Sequence, residues 1–148
     1  MKLKGEVLAV CLSPEKGTKK RPVEVGSFEV DYGLIGDGHA EKGGSRQVSL
    51  LSEESILYMR SLGLEVGPGD FAENLTIRGI RLSDLKPGTR LRVGEVILEV
   101  TQIGKECHSR CAIYRQVGDC IMPREGVFAR VIRGGQVRAG DEVEVLSG

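Results

Sequence analysis

The chain has 148 residues, 40% of them apolar and 28% charged, a mix that suits one globular domain with a core of its own. Its 21 Lys and Arg balance 21 Asp and Glu, so no global field draws it to nucleic acid or an anionic membrane, and aromatic residues, at 4%, are too few for a base-stacking platform. No apolar run approaches the length of a membrane span, and Met1-Lys2-Leu3-Lys4-Gly5-Glu6 lacks the apolar stretch of a signal peptide, so the expected address is cytoplasmic, where the four cysteines stay reduced.

Twenty-one glycines in a chain rich in Val and Ile predict short strands joined by tight turns. Glu6 to Leu12 is strand-like and stops at Ser13-Pro14. Lys16 to Pro22 is a basic loop, and its charge run, Lys16, Lys19, Lys20 and Arg21, reads as a solvated surface without function. Glu24 to Tyr32 alternates polar and apolar residues, the period of a half-buried strand. Gly33 to Ser45 is a glycine-rich loop that carries His39, and Gln47 to Leu51 is a short strand. One helix follows, with Ser52 as N-cap, Glu53 and Glu54 in the first turn and Gly63 as the stop; Ile56, Leu57, Met59 and Leu62 are its expected buried stripe. Asp70 caps the turn after Pro68-Gly69, and Phe71 to Ile80 reads as a strand. Leu82 to Gly88 forms a turn, and Thr89 to Val93 pairs with Val96 to Ile103 around Gly94-Glu95. Val127 to Ile132, Gln136 to Arg138 and Glu142 to Leu146 complete the pattern. The expected fold is mainly β, a barrel or sandwich with one or two peripheral helices, in a single domain over residues 1–148.

Chemistry concentrates in one segment. Cys107, Cys111 and Cys120 sit among Lys105, His108, Arg110, Arg115 and Arg124. Positive charge favours thiolate over thiol, and thiolate is the form that attacks sulfur and binds soft metals. Gly104 breaks the strand before Cys107, which puts that thiol on a strand-end loop, where functional residues gather. Cys111 lies four residues on, at a spacing that suits a resolving thiol, a second metal ligand or a core position. Cys107, His108, Cys111 and Cys120 together offer four ligands for a structural zinc, although their spacing is unlike the usual paired-cysteine pattern.

Three phrases in order carry a family likeness: Arg46-Gln47-Val48-Ser49-Leu50-Leu51, then Gly69-Asp70-Phe71-Ala72-Glu73-Asn74-Leu75, then the cysteine segment running into Gly126-Val127-Phe128-Ala129-Arg130-Val131. Together they resemble a stand-alone MOSC domain, related to the C-terminal domain of molybdenum-cofactor sulfurase, from about Gly5 to Leu146. The resemblance implies a MOSC-type β-barrel, an association with molybdenum cofactor (molybdopterin), and sulfur carried on cysteine as persulfide. The family's functional cysteine matches Cys107, as persulfide carrier or molybdenum ligand. Glu106 stands where many members have Pro, and an acid beside a thiol opposes its ionisation. Pyridoxal phosphate, which serves the sulfurase domain of larger members, is not expected on this chain.

The resemblance also places the Gly-Asp…His loop near the cofactor, which makes His39 a candidate for proton transfer beside Cys107. Arg46, Asn74, Arg78 and Arg124 are the candidate cofactor-binding residues: an arginine fork suits a phosphate and an Asn amide suits a pterin edge. Asn74 is also out of character for a strand interior, which points to a functional or turn-forming role. The implied partners are a sulfur donor such as a cysteine desulfurase and an acceptor protein of the molybdenum-cofactor pathway, with no nucleic acid or membrane; homodimerisation is left open. Oxidoreductase activity would need a partner for electrons, since no flavin or iron–sulfur motif is visible. The competing readings are a cofactor-binding module without turnover and a zinc-stabilised β domain.

Overall fold

Apolar residues fall on alternate positions along most strand-forming segments, and each of these becomes a strand with one face turned inward. The computed structural model describes residues 3–15, 19–104 and 125–147. Its strands are β1 (Lys4–Leu12), β2 (Arg21–Val23), β3 (Gly26–Glu29), β4 (Gly33–Leu34), β5 (Val48–Ser52), β6 (Leu75–Arg78), β7 (Arg90–Val93), β8 (Val96–Ile103), β9 (Val127–Arg133), β10 (Gly135–Val137) and β11 (Glu142–Ser147). One α-helix, α1 (Glu53–Ser61), and a 3₁₀ turn at Leu82–Asp84 accompany them among the described residues.

Seven strands close into a barrel in the order β11-β7-β8-β9-β5-β6-β1, with β1 pairing back onto β11. The expected β-barrel is therefore what forms, and closure removes the free edges an open sheet would leave. Every barrel pairing is antiparallel except β5–β6, which is parallel, so α1 and the loop after it supply the crossover that a parallel pair requires. Val48, Leu50, Leu75, Leu98, Val127 and Ala129 point inward and are fully buried. A bulge between Val7 and Ala9 in the β1–β6 pair lets Val7 and Val10 both reach that interior. The small sheet β10-β3-β4 adds Phe28, Leu34 and Val137 to the same apolar cluster.

Several expectations change at the level of single residues. Ser52 precedes the helix as predicted but makes no cap bond. Its hydroxyl instead donates to Ile80 O at 2.8 Å and accepts from Leu82 N at 2.9 Å, tying the exit of β6 to β5. Ile56 and Met59 are buried as expected, joined by Ser55, whereas Leu57 and Leu62 are exposed. The helix packs a narrow stripe against Leu51, Phe71 and Phe128 outside the barrel, so its flanks stay in water. The strand expected from Phe71 begins only at Leu75, because Ala72 adopts φ 63° and turns the chain. Asp70 does cap its turn, accepting from Gly67 N at 2.8 Å. No helix among the described residues is long and apolar enough to cross a membrane.

Candidate functional site

The outward-facing side chains of five adjacent strands form a row on which the candidates can be placed. Cys11 N donates to Asn74 O and Asn74 N to Ser49 O; Ser49 pairs with Phe128, and Phe128 with Gln102. At about 4.8 Å per strand, the row from Cys11 to Gln102 runs roughly 19 Å across the outside of the barrel. It is polar along most of its length, yet Cys11, Asn74, Ser49 and Phe128 are buried beneath the loops after β1, β4 and α1.

Asn74 lies in the middle and is bonded to the strands on both sides. Its Oδ1 accepts from Ser49 N at 3.0 Å and from Ser49 Oγ at 3.3 Å, and its Nδ2 donates to Cys11 O at 3.2 Å. The amide thus bridges β1 and β5 at the point where the turn enters β6. These bonds give it the turn-forming role open to it from sequence and occupy Oδ1 and one of the two Nδ2 hydrogens.

One end of the row holds an ionic cluster. Lys20 Nζ lies 2.8 Å from Asp37 Oδ1, and both side chains are sealed from solvent. Asp37 Oδ1 also accepts from Ser13 N, and Oδ2 accepts from His39 N, each at 3.1 Å. Burial alone would raise the Asp37 carboxyl, but the Lys20 ammonium and the two backbone donors outweigh it and hold the carboxyl below its ordinary range. His39 sits at the rim with Nδ1 3.0 Å from Lys20 Nζ. Lys20 corrects the reading of its charge run as solvated: Lys19 and Arg21 are exposed, but Lys20 turns inward.

Beneath this cluster lie Cys11 and Glu73. Glu73 is completely buried and accepts from Gly69 N, Phe71 N and Thr76 Oγ1. Burial pushes its carboxyl up, against the pull of those donors. The Cys11 thiol is pushed up to about 12 by burial first and by the Glu73 and Asp70 carboxylates next, with Lys20 opposing. It therefore stays a thiol at neutral pH. Gly69 lets the chain pass close over these groups: a Cβ there would stand 2.2 Å from Lys20 O and 3.2 Å from Cys11 Sγ, at a φ of +87°.

The other end of the row belongs to Arg46. Its guanidinium lies 5.6 Å from the centroid of the Phe128 ring, and its Nε donates to Gln102 Oε1 at 3.3 Å. Among the described residues no carboxylate pairs with it. Arg78, by contrast, is exposed at the C-terminal end of β6 and pairs with Glu53 and Glu6, so Asn74 and Arg46 share the row while Arg78 stands apart from it. Beside Arg46 the chain leaves and re-enters the barrel. Gly104 N donates to Gly126 O at 2.6 Å, Gln102 Nε2 donates to Gly104 O at 2.8 Å, and Ser55 Oγ donates to Glu125 Oε1 at 2.6 Å.

The segment between those crossings holds Cys107, His108, Cys111, Cys120 and Arg124, which lie outside the described residues. So does the proposed zinc set; among the described residues no group of three or more His, Cys, Asp or Glu side chains is arranged to hold a metal ion. Sequence reasoning missed Lys20, Asp37 and Glu73. Only the density of acids and glycines around Asp37 and Glu73 hinted at them, and nothing local distinguishes Lys20 from its neighbours.

A family model of the MOSC domain matches residues 37–144. The fold is similar to that of the YuaD protein from Bacillus subtilis, with a TM-score of 0.82 and 20% identity over 100% of this chain and 98% of that one. It is also similar to YiiM from Geobacillus stearothermophilus, with a TM-score of 0.72 and 18% identity over 96% of this chain and 75% of that one. YiiM from Escherichia coli gives a TM-score of 0.67 and 23% identity over 97% of this chain and 70% of that one. No curated protein sequence matches the chain.

Proposed function

Because the chain belongs to the MOSC domain family, which is associated with molybdenum-cofactor sulfurase-related functions, we propose that it carries sulfur or holds molybdenum cofactor through the thiolate of Cys107. The observation that carries this reading is the pairing of Gly104 with Gly126 beside an arginine that meets no carboxylate among the described residues. The cysteine segment is tethered at the Arg46 end of the row, and Cys107 is three residues along the chain from Gly104.

The residues present fit the phosphate end of a pterin cofactor. Arg46 keeps terminal N–H groups for an anion while Phe128 and Gln102 orient its plane, and a planar fork matches phosphate oxygens. Asn74 holds the turn that supports the row and keeps one Nδ2 hydrogen for a ring edge. The reading assigns the thiolate to Cys107 and a second fork for phosphate to Arg124, both in the cysteine segment. In sulfur transfer, the Cys107 thiolate attacks the outer sulfur of a donor persulfide, the sulfur–sulfur bond breaks, and the donor departs as a thiolate. When bound, the cofactor supplies a soft metal that takes a thiolate or sulfide ligand. Cys11 takes no part, being buried and protonated. The reading assumes a cytoplasmic chain with reduced thiols and a cysteine desulfurase as donor.

The test is intact-mass analysis after incubation with cysteine and a cysteine desulfurase. The expected result is a gain of one sulfur atom that peptide mapping assigns to Cys107, with Cys11 unmodified. If Cys107→Ser loads sulfur as fast as the unaltered chain, and neither protein retains a pterin, the proposal fails.

A further inference from the structure

We infer that the buried Lys20–Asp37 ion pair is a clasp: it straps the entry to β2, the loop after β4 and the loop after α1 onto the outer face of the barrel, and its release uncovers Cys11 while the barrel itself stays closed. The covering elements meet at these two side chains. Lys20 Nζ lies 2.8 Å from Asp37 Oδ1, with both side chains sealed from solvent. Lys20 N donates to Gly69 O at 2.9 Å, which ties in the loop after α1. Asp37 Oδ1 also accepts from Ser13 N at 3.1 Å, and Gly38 N donates to Ser13 O at 2.7 Å, which ties in the chain leaving β1. His39 N donates to Asp37 Oδ2 at 3.1 Å. The imidazole of His39 stands at the rim, with Nδ1 3.0 Å from Lys20 Nζ and 3.8 Å from Asp37 Oδ2, and the ion pair is complete without it.

Hydrocarbon contributes little to this cover. Cys11 is fully buried, yet it belongs to neither apolar cluster. β2 is a three-residue strand at the edge of its sheet. The residue it sets opposite Cys11 is Pro22, which has no N–H to give the ladder. In the chain after β3, Leu34 is anchored in the core, but Ile35 beside it is exposed. Segments with few buried apolar contacts open at a lower free energy than the whole domain. The barrel, by contrast, rests on its apolar interior and on strand pairings that neither Lys20 nor Asp37 makes. A buried ion pair gives back in attraction little more than the desolvation it costs, so its effect here is to fix where the cover sits.

The outer face is therefore conditionally accessible. With the clasp closed, Cys11 is out of reach of any reagent. With it open, the thiol and the neighbouring Glu73 carboxyl meet water, and β5, β6, β8 and β9 keep their partners. None of this depends on the proposed sulfur chemistry.

The test is alkylation of Cys11 in the folded chain by iodoacetamide, followed by peptide mapping that separates this thiol from the other three, at urea concentrations below the unfolding transition. In the unaltered chain, Cys11 is expected to react faster than the global unfolding constant allows, with a rate that rises with urea far less steeply than global unfolding does. A rate that follows global unfolding in size and slope overturns the proposal, and this measurement needs no variant. Leu98→Ala, which weakens the barrel interior, is expected to leave the rate in the absence of urea within about twofold of the unaltered chain. A rise that matches its loss of global stability overturns the proposal. Lys20→Met is expected to raise the rate by roughly a hundredfold or more, the ratio that breaking a buried pair implies. Adding Asp37→Asn to Lys20→Met removes the stranded charge, and the double variant should react no faster than the faster of the two single variants. If the two single effects simply multiply, the residues act independently and the pair is not the clasp.

Discussion

The two faces of the barrel wall are buried by different means. The inner face is hydrocarbon: Val48, Leu50, Leu75, Leu98 and Val127 exclude water and need no partner. The outer face under the loops is equally dry around Asn74 and Glu73, yet much of it is made of amides, hydroxyls and charges. There every polar atom needs a designated counterpart, and among the described residues no buried side-chain nitrogen or oxygen lacks a hydrogen-bond partner. An apolar core tolerates sliding and exchange of similar volumes, whereas a satisfied polar row fixes one geometry. Precision of that kind is concentrated on the outer face.

The sharpest way to break the contrast is Lys20→Met, which strands the Asp37 carboxylate in the interior. A loss of about 3–5 kcal/mol is expected from urea unfolding at neutral pH. The pH dependence carries a sign. Asp37 is held below its ordinary value of 3.8 in the folded state, so its contribution is complete above that pH and fades as the pH falls below it. The variant loses this pairing, and the gap between the two proteins should close in acid; a gap that widens there would contradict the ion pair.

Leu98→Ala on the inner face leaves a cavity and should lower stability by about 2–5 kcal/mol, without altering the environment of His39 in NMR spectra. Asn74→Ala leaves the Ser49 and Cys11 backbone groups short of a partner and should cost about 1–3 kcal/mol. Unlike Leu98→Ala, it should also raise the alkylation rate of Cys11, because the β1–β6 junction loosens. Equal Cys11 reactivity in the two variants would mean that the outer face is no more specific than the inner. The smallest effect is expected for Arg78→Ala, which removes exposed pairs with Glu53 and Glu6 and should change stability by less than about 1 kcal/mol and leave sulfur loading unchanged.

Much of the inner face was legible beforehand because its signal is local. Alternation in Val96 to Ile103, the Gly94-Glu95 turn and the run Val127 to Ile132 each declare a strand within a few residues, and the strands appear where alternation puts them. The helix was visible from its acidic first turn and Gly63, but the width of its buried stripe depended on what lay opposite. Of the candidate site, Arg46 and His39 were picked out and do border the row, Asn74 proved to be a bridge within it, and Lys20 was hidden in a charge run whose members look alike.

By itself the order of residues determined the longer barrel strands and which of their faces is apolar, since a period of two needs only near neighbours to be expressed, whereas the short strands β2 and β4 formed in or at the edge of stretches read as loops. Tertiary structure alone decided which polar groups would be buried and with whom. Asn74 meets Cys11 across 63 positions and Lys20 meets Asp37 across 17, and partners that distant are chosen by the closure of the barrel and the loops laid over it, because the cost of burying a polar group is cancelled only by whatever the fold brings against it.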